Sequence, residues 1–161
     1  MACVLEFMSE LPAPAAEVWA RATSFVGINA ELMPLMRMTC PPGQRDISPE
    51  SVVPGERLVR SWLLLFGAIP VDRSDVTLVE LGTDYFRERS PMWSMRSWEH
   101  ARRIEEAPGG CVLRDRLEFV PRLPGPLLPW FVHRLFRHRH ARLRAMWAGV
   151  GGRLVGDVGE P

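Results

Sequence analysis

Residues 127–149 read LLPWFVHRLFRHRHARLRAMWAG, and the reading of this stretch decides the fold. Leu128, Val132, Leu135, Leu143 and Met146 recur at the three- and four-residue spacing that lines side chains along one helical face. Arg134, Arg137, His138, Arg142 and Arg144 project largely elsewhere. One long C-terminal helix follows, and its apolar stripe must be covered. Arg139 breaks the pattern, because it lies with Val132, Phe136 and Leu143 on or beside the stripe, where a guanidinium needs a partner.

Upstream, 111–120 sorts cleanly by alternation. Cys111, Leu113, Asp115, Leu117 and Phe119 share one side, and Val112, Arg114, Arg116 and Glu118 the other, as in a strand with one buried face. APGG at 107–110 is a hairpin turn joining it to the strand-like run 94–105. Further strand-like runs cover 57–66, 71–81 and 84–89, the first two separated by the turn GAIP. Residues 2–10 suit a first strand. LPAPAAEVWARAT then forms a helix opened by Pro14, with Val18, Trp19 and Ala22 on its buried side. VGINAELMPLM forms a second short helix, bent or ended by Pro34. Residues 38–56, with prolines at 41, 42, 49 and 54, form a long loop with room for a short edge strand, a length that suits a lid or binding loop.

The order is thus one strand, two helices, five or six antiparallel strands and a long helix. An antiparallel sheet solvated on one face must pack its other face on something, and the C-terminal helix is the large partner at hand. The expected fold is α+β, a curved antiparallel sheet wrapped around that helix, in one domain over 1–150 with a flexible Gly-rich tail over 151–161.

Composition narrows the function. The 161 residues suffice for one domain with a core, and 47% hydrophobic with 24% charged residues is ordinary for a globular protein. A net charge of +1 argues against a general polyanion binder, although no acidic residue occurs from Val120 to Val155. All 20 basic residues are arginine, which excludes a Schiff-base or phosphate-loop lysine and suits a GC-rich bacterial genome. Cys3, Cys40 and Cys111 have neither disulfide nor zinc spacing, so a reducing cytoplasm fits. No secretory signal or membrane span is read. No metal or nucleotide cofactor is expected: Gly-rich phosphate motifs are absent, and His138 and His140, two apart, point to different sides of a helix. The basic helix is read as a solvated face rather than a nucleic-acid or membrane surface.

Particular residues add a resemblance. LPAPAAEVWARAT, Trp98 and His100, Gly109 and Gly110, Asp115, Pro124 and Gly125, then Phe136, Arg139 and His140 resemble the START and Bet v 1-like (SRPBCC) superfamily. The second half resembles a polyketide cyclase and coenzyme Q-binding-like bacterial subgroup. The resemblance implies a helix-grip fold and a hydrophobic or amphipathic ligand held between sheet and helix, sometimes with lyase, cyclase or hydrolase chemistry. Arg102 stands where that subgroup suggests a second histidine, and Ser90 where it suggests a glycine.

Alternation also outlines a pocket. Trp98, His100, Arg102 and Ile104 form the inward side of their strand, and the APGG hairpin brings His100 close to Asp115. Phe86 and Glu88 face inward from the preceding strand. The expected polar cluster is Glu88, His100, Asp115 and Arg139, in a cavity lined by Trp62, Phe86, Trp93, Trp98, Leu117, Phe119, Val132, Leu135 and Phe136. The cluster has two readings, a structural ion-pair network or a working site in which His100 carries a proton, Asp115 orients it and Arg139 holds a ligand oxygen. The first functional expectation is a non-catalytic carrier or sensor of a small hydrophobic molecule. The alternative is a cyclase/dehydratase-type enzyme with His100 and Asp115 as catalytic residues; a homodimer is allowed by either.

Overall fold

The computed structural model describes residues 1–43, 47 and 52–149. Among these the chain runs β1 (Cys3–Leu11), α1 (Ala15–Ala22), α2 (Phe25–Leu32), β2 (Met36–Met38) and β3 (Arg57–Leu65). It continues through β4 (Ile69–Leu81), β5 (Tyr85–Arg89), β6 (Met95–Ala107) and β7 (Gly110–Pro121) to α3 (Leu127–Trp147). One antiparallel sheet takes all seven strands in the order β1-β7-β6-β5-β4-β3-β2. Strands β2 to β7 form a meander, and β1 closes on β7. The sheet curls into a half-barrel with the long C-terminal helix α3, an α+β helix-grip architecture.

Local chemistry sets the joints. The Pro14 carbonyl accepts from Glu17 and Val18 as α1 begins, and Ser24 caps α2 by accepting from the Gly27 amide at 3.0 Å. A side chain at Gly27 would place its Cβ 1.9 Å from the Arg21 carbonyl oxygen, so only glycine lets the two helices meet this closely. The Asn29 side chain accepts from Met38 N at 2.7 Å and donates to Met38 O at 2.9 Å, pinning the short edge strand β2 to α2. Gly109, with φ +80, takes the left-handed position of the β6–β7 hairpin. Parts of the expected 38–56 loop and the expected flexible tail at 151–161 lie outside the described residues.

The core divides along α3. Toward its start, Val132 and Phe136 pack on Met95, Leu117 and Phe119. Toward its end, Leu143 packs with Leu11, Val18, Ile104, Cys111 and Leu113. Between these clusters the helix presents Arg139 and His140, both buried. No helix among the described residues is long and apolar enough to cross a membrane.

Candidate functional site

The pleat of β7 turns Asp115 to the concave face between Leu113 and Leu117, where it is 1% exposed. Its partner in register on β6 is Arg102. Arg102 donates through Nε and Nη2 to the two Asp115 oxygens, both at 2.7 Å. Through Nη1 and Nη2 it also donates to the two oxygens of Glu31, each at 3.0 Å. Glu31 comes from the last turn of α2, and Arg139 of α3 reaches its Oε2 through Nε at 3.1 Å and Nη2 at 2.8 Å. Three secondary-structure layers are thereby joined by four charges of balanced sign.

Two imidazoles complete the shell. His100 Nε2 lies 2.9 Å from Asp115 Oδ1, and His140 Nε2 lies 3.0 Å from Oδ2. Asp115 thus accepts four hydrogen bonds, and because a carboxylate only accepts, both histidines donate through Nε2. His140 Nδ1 lies 2.8 Å from the Ser9 hydroxyl of β1, which in turn accepts from Arg144 at 2.8 Å. His100 Nδ1 faces Glu88 Oε2 at 3.7 Å, beyond hydrogen-bonding reach, while Ser90 donates to the other Glu88 oxygen.

Burial opposes the charge of Asp115, but Arg102 and then His100 outweigh it and hold the carboxyl well below the usual aspartate value. Burial likewise opposes Glu31, and Arg102 and Arg139 bring it below the ordinary glutamate value. Burial also works against the charge of Arg102, which Asp115 and Glu31 reverse, raising its pKa. All three stay ionised across the physiological range.

Beside this network a cavity of about 330 Å³ opens between α2, α3 and the inner faces of β3 to β6. Glu88, His100 and Arg139 line it, as do Phe86, Trp98, Val132, Leu135 and Phe136. Asp115, Leu117 and Phe119 are buried behind the wall rather than in it, the last two packed with Val132 and Phe136. Trp62 and Trp93, expected in the lining, lie outside it, 38% and 53% exposed, edge to face at 5.0 Å, with Arg73 over Trp93. The reason is alternation: buried Ser61 and cavity-lining Leu63 take the concave face of β3, so Trp62 between them points outward. Trp93 sits in the β5–β6 connection, where its neighbour Met92 takes the inward place.

Four residues of the site escaped the sequence reading. Glu31 is the partner that Arg139 demanded, but a glutamate in a short helix ordinarily faces water, so nothing marked it. Arg102 did carry a mark, its place on the Trp98 and His100 side of β6, and reads now as the hub of the network. His140 and Ser9 meet across 131 positions of sequence, which local pattern cannot reveal. A second polar end of the cavity, Asp72 with Ser74 and Ser94, was also missed. Asp72 there accepts from the amides of Arg73, Trp93 and Ser94 and from the Ser94 hydroxyl.

A family model described as a domain of unknown function, DUF8410, matches residues 9–147. No curated protein matches. Among solved structures, protein CV1439 from Chromobacterium violaceum superposes with a TM-score of 0.69 at 13% identity, over 89% of this chain and 96% of that one. The Bet v 1 allergen Ara h 8.0201 gives 0.62 at 12% identity, over 92% and 99% of the two chains. A START superfamily protein from Mycobacterium smegmatis gives 0.62 at 12% identity, over 91% and 98%. At such identities the likeness is one of fold, and the fold is START/Bet v 1-like.

Proposed function

The chain belongs to that family, DUF8410, and is built on a START/Bet v 1-like fold; from this premise we propose that it binds a small hydrophobic or amphipathic molecule in the cavity between sheet and α3, as a carrier or sensor. The supporting observation is the cavity itself. Its volume of about 330 Å³ falls within the range of small-molecule sites, its walls are mainly apolar, and its polar groups gather at the ends. Burial of apolar surface supplies the affinity, at about 25 cal/mol per Å², and Arg139, His100 and Glu88 orient the polar end.

The carrier reading is favoured over catalysis by how the charges are spent. Asp115 is saturated by four hydrogen bonds and sealed behind the wall, and Arg102 is committed to two carboxylates. Both work as a structural clamp. A second reading, a cyclase/dehydratase-like enzyme, draws on one observation: Asp115 fixes His100 through Nε2 and leaves Nδ1 on the cavity side, with Arg139 near to stabilise an oxyanion.

Native mass spectrometry of the purified protein beside a denatured control tests the proposal. A released small molecule, returned unchanged after incubation with the protein, supports the carrier. Conversion of that molecule, abolished in His100→Ala, supports the enzyme. An empty protein that no component of a lipid extract stabilises thermally would sink the binding reading.

A further inference from the structure

Three polar atoms at one end of the cavity have no hydrogen-bond partner among the described residues. Arg139 spends Nε and Nη2 on Glu31, leaving Nη1 as a donor. His100 spends Nε2 on Asp115, leaving Nδ1 as an acceptor in the uncharged ring. Glu88 uses Oε1 for Ser90, and its Oε2 stands 3.7 Å from His100 Nδ1. All three residues line the cavity. Arg139 and His100 share the Phe136 ring, the guanidinium carbon 4.8 Å from its centroid and the imidazole edge-on at 5.4 Å.

The charges around these atoms are uneven. Arg102 and Arg139 balance Asp115 and Glu31 within one hydrogen-bonded cluster, so with uncharged imidazoles the carboxylate of Glu88 is left over. At the opposite end the only charged lining residue among the described residues is again acidic, Asp72. A carboxylate or phosphate on the ligand would satisfy Arg139 Nη1 but would face Glu88 and the His100 lone pair, both acceptors. An ammonium would satisfy Glu88 but, having donors and no acceptor, would leave Arg139 Nη1 unpaired. A hydroxyl does both, since its oxygen accepts from Arg139 while its hydrogen is given to Glu88 or His100.

Resting on the binding reading above, we infer that the ligand enters this end of the cavity with an uncharged hydroxyl group, and that Glu88 makes the site reject anionic amphiphiles. Arg139 is then a hydrogen-bond donor already neutralised by Glu31, not a free anion receptor.

Isothermal titration calorimetry at pH 7.5 with decan-1-ol, decanoate and decylammonium as probes tests this. The alcohol is expected to bind at least about tenfold tighter than either ion. Glu88→Gln should raise the ratio of decanoate to decan-1-ol affinity by about tenfold. Decanoate or decylammonium binding as tightly as the alcohol, or an unaltered decanoate-to-alcohol ratio in the variant, overturns the inference while leaving the binding reading intact. Absence of binding by all three overturns the inference, and the binding reading falls with it only if no component of the lipid extract stabilises the protein either. Should Glu88→Gln not fold, the wild-type ratios decide alone.

Discussion

Asp115 holds a charge out of reach of water because every lone-pair direction it has is filled by the chain. Removing its main partner should therefore be severe. Arg102→Met leaves Glu31 and Asp115 short of a common cation in the interior and is expected to cost about 3–5 kcal/mol in urea denaturation. Arg139→Met leaves Glu31 its bidentate partner and should cost less, about 1–3 kcal/mol; equal losses would show that the two arginines are not divided between clamp and wall. The carboxylates also set an acid limit. Glu31 and Asp115 have folded-state pKa values below 4.5 and 3.8, so at low pH the unfolded chain binds protons that the native state refuses. The stability they confer is fully present above those ordinary values and is lost as pH falls through and below them. Urea midpoints measured from pH 7 downward should stay level to about pH 5 and then decline, with a shallower decline in Asp115→Asn. Asp115 itself was legible, since a charge amid Cys111, Leu113, Leu117 and Phe119 stands out in an alternating strand. Glu31 was not, because a short helix carries too few turns to separate a buried glutamate from a solvated one.

The elements were legible where contrast between faces is strong. The β6–β7 hairpin was announced by its turn and by alternation, and α3 by its stripe. In β3 the run Trp62, Leu63, Leu64 and Leu65 is apolar on both faces, so the direction of Trp62 could not be read, and the ring proved to point outward. The α1–α2 corner depends on a feature the sequence shows only as a glycine within a helix. Gly27→Ala would force Cβ against the Arg21 carbonyl, a backbone atom that cannot move alone. The expected result is a loss of about 1–3 kcal/mol, with a lower melting temperature by circular dichroism. A neutral outcome would mean that α2 can slide on α1, which would also displace Glu31.

Over the whole molecule, helices and sheet enclose packed apolar clusters with a cavity beside them. A ligand at a hundred times its dissociation constant should stabilise the native state by about 2.7 kcal/mol, read as a raised melting temperature that depends on ligand concentration. The internal bonds that finish the fold also join distant residues, Ser9 to His140 across 131 positions and Arg139 to Glu31 across 108. A ribosome that has released the chain through β7, ending at Pro121, has delivered the strands of the sheet before the helix that fills it, Leu127–Trp147. The nascent protein must then wait with an open greasy trough, the condition in which chaperones are recruited and neighbouring chains stick. Synthesis stopped after residue 121 should accordingly give an aggregating product in a cell-free system, whereas release after residue 149 should give a folded one.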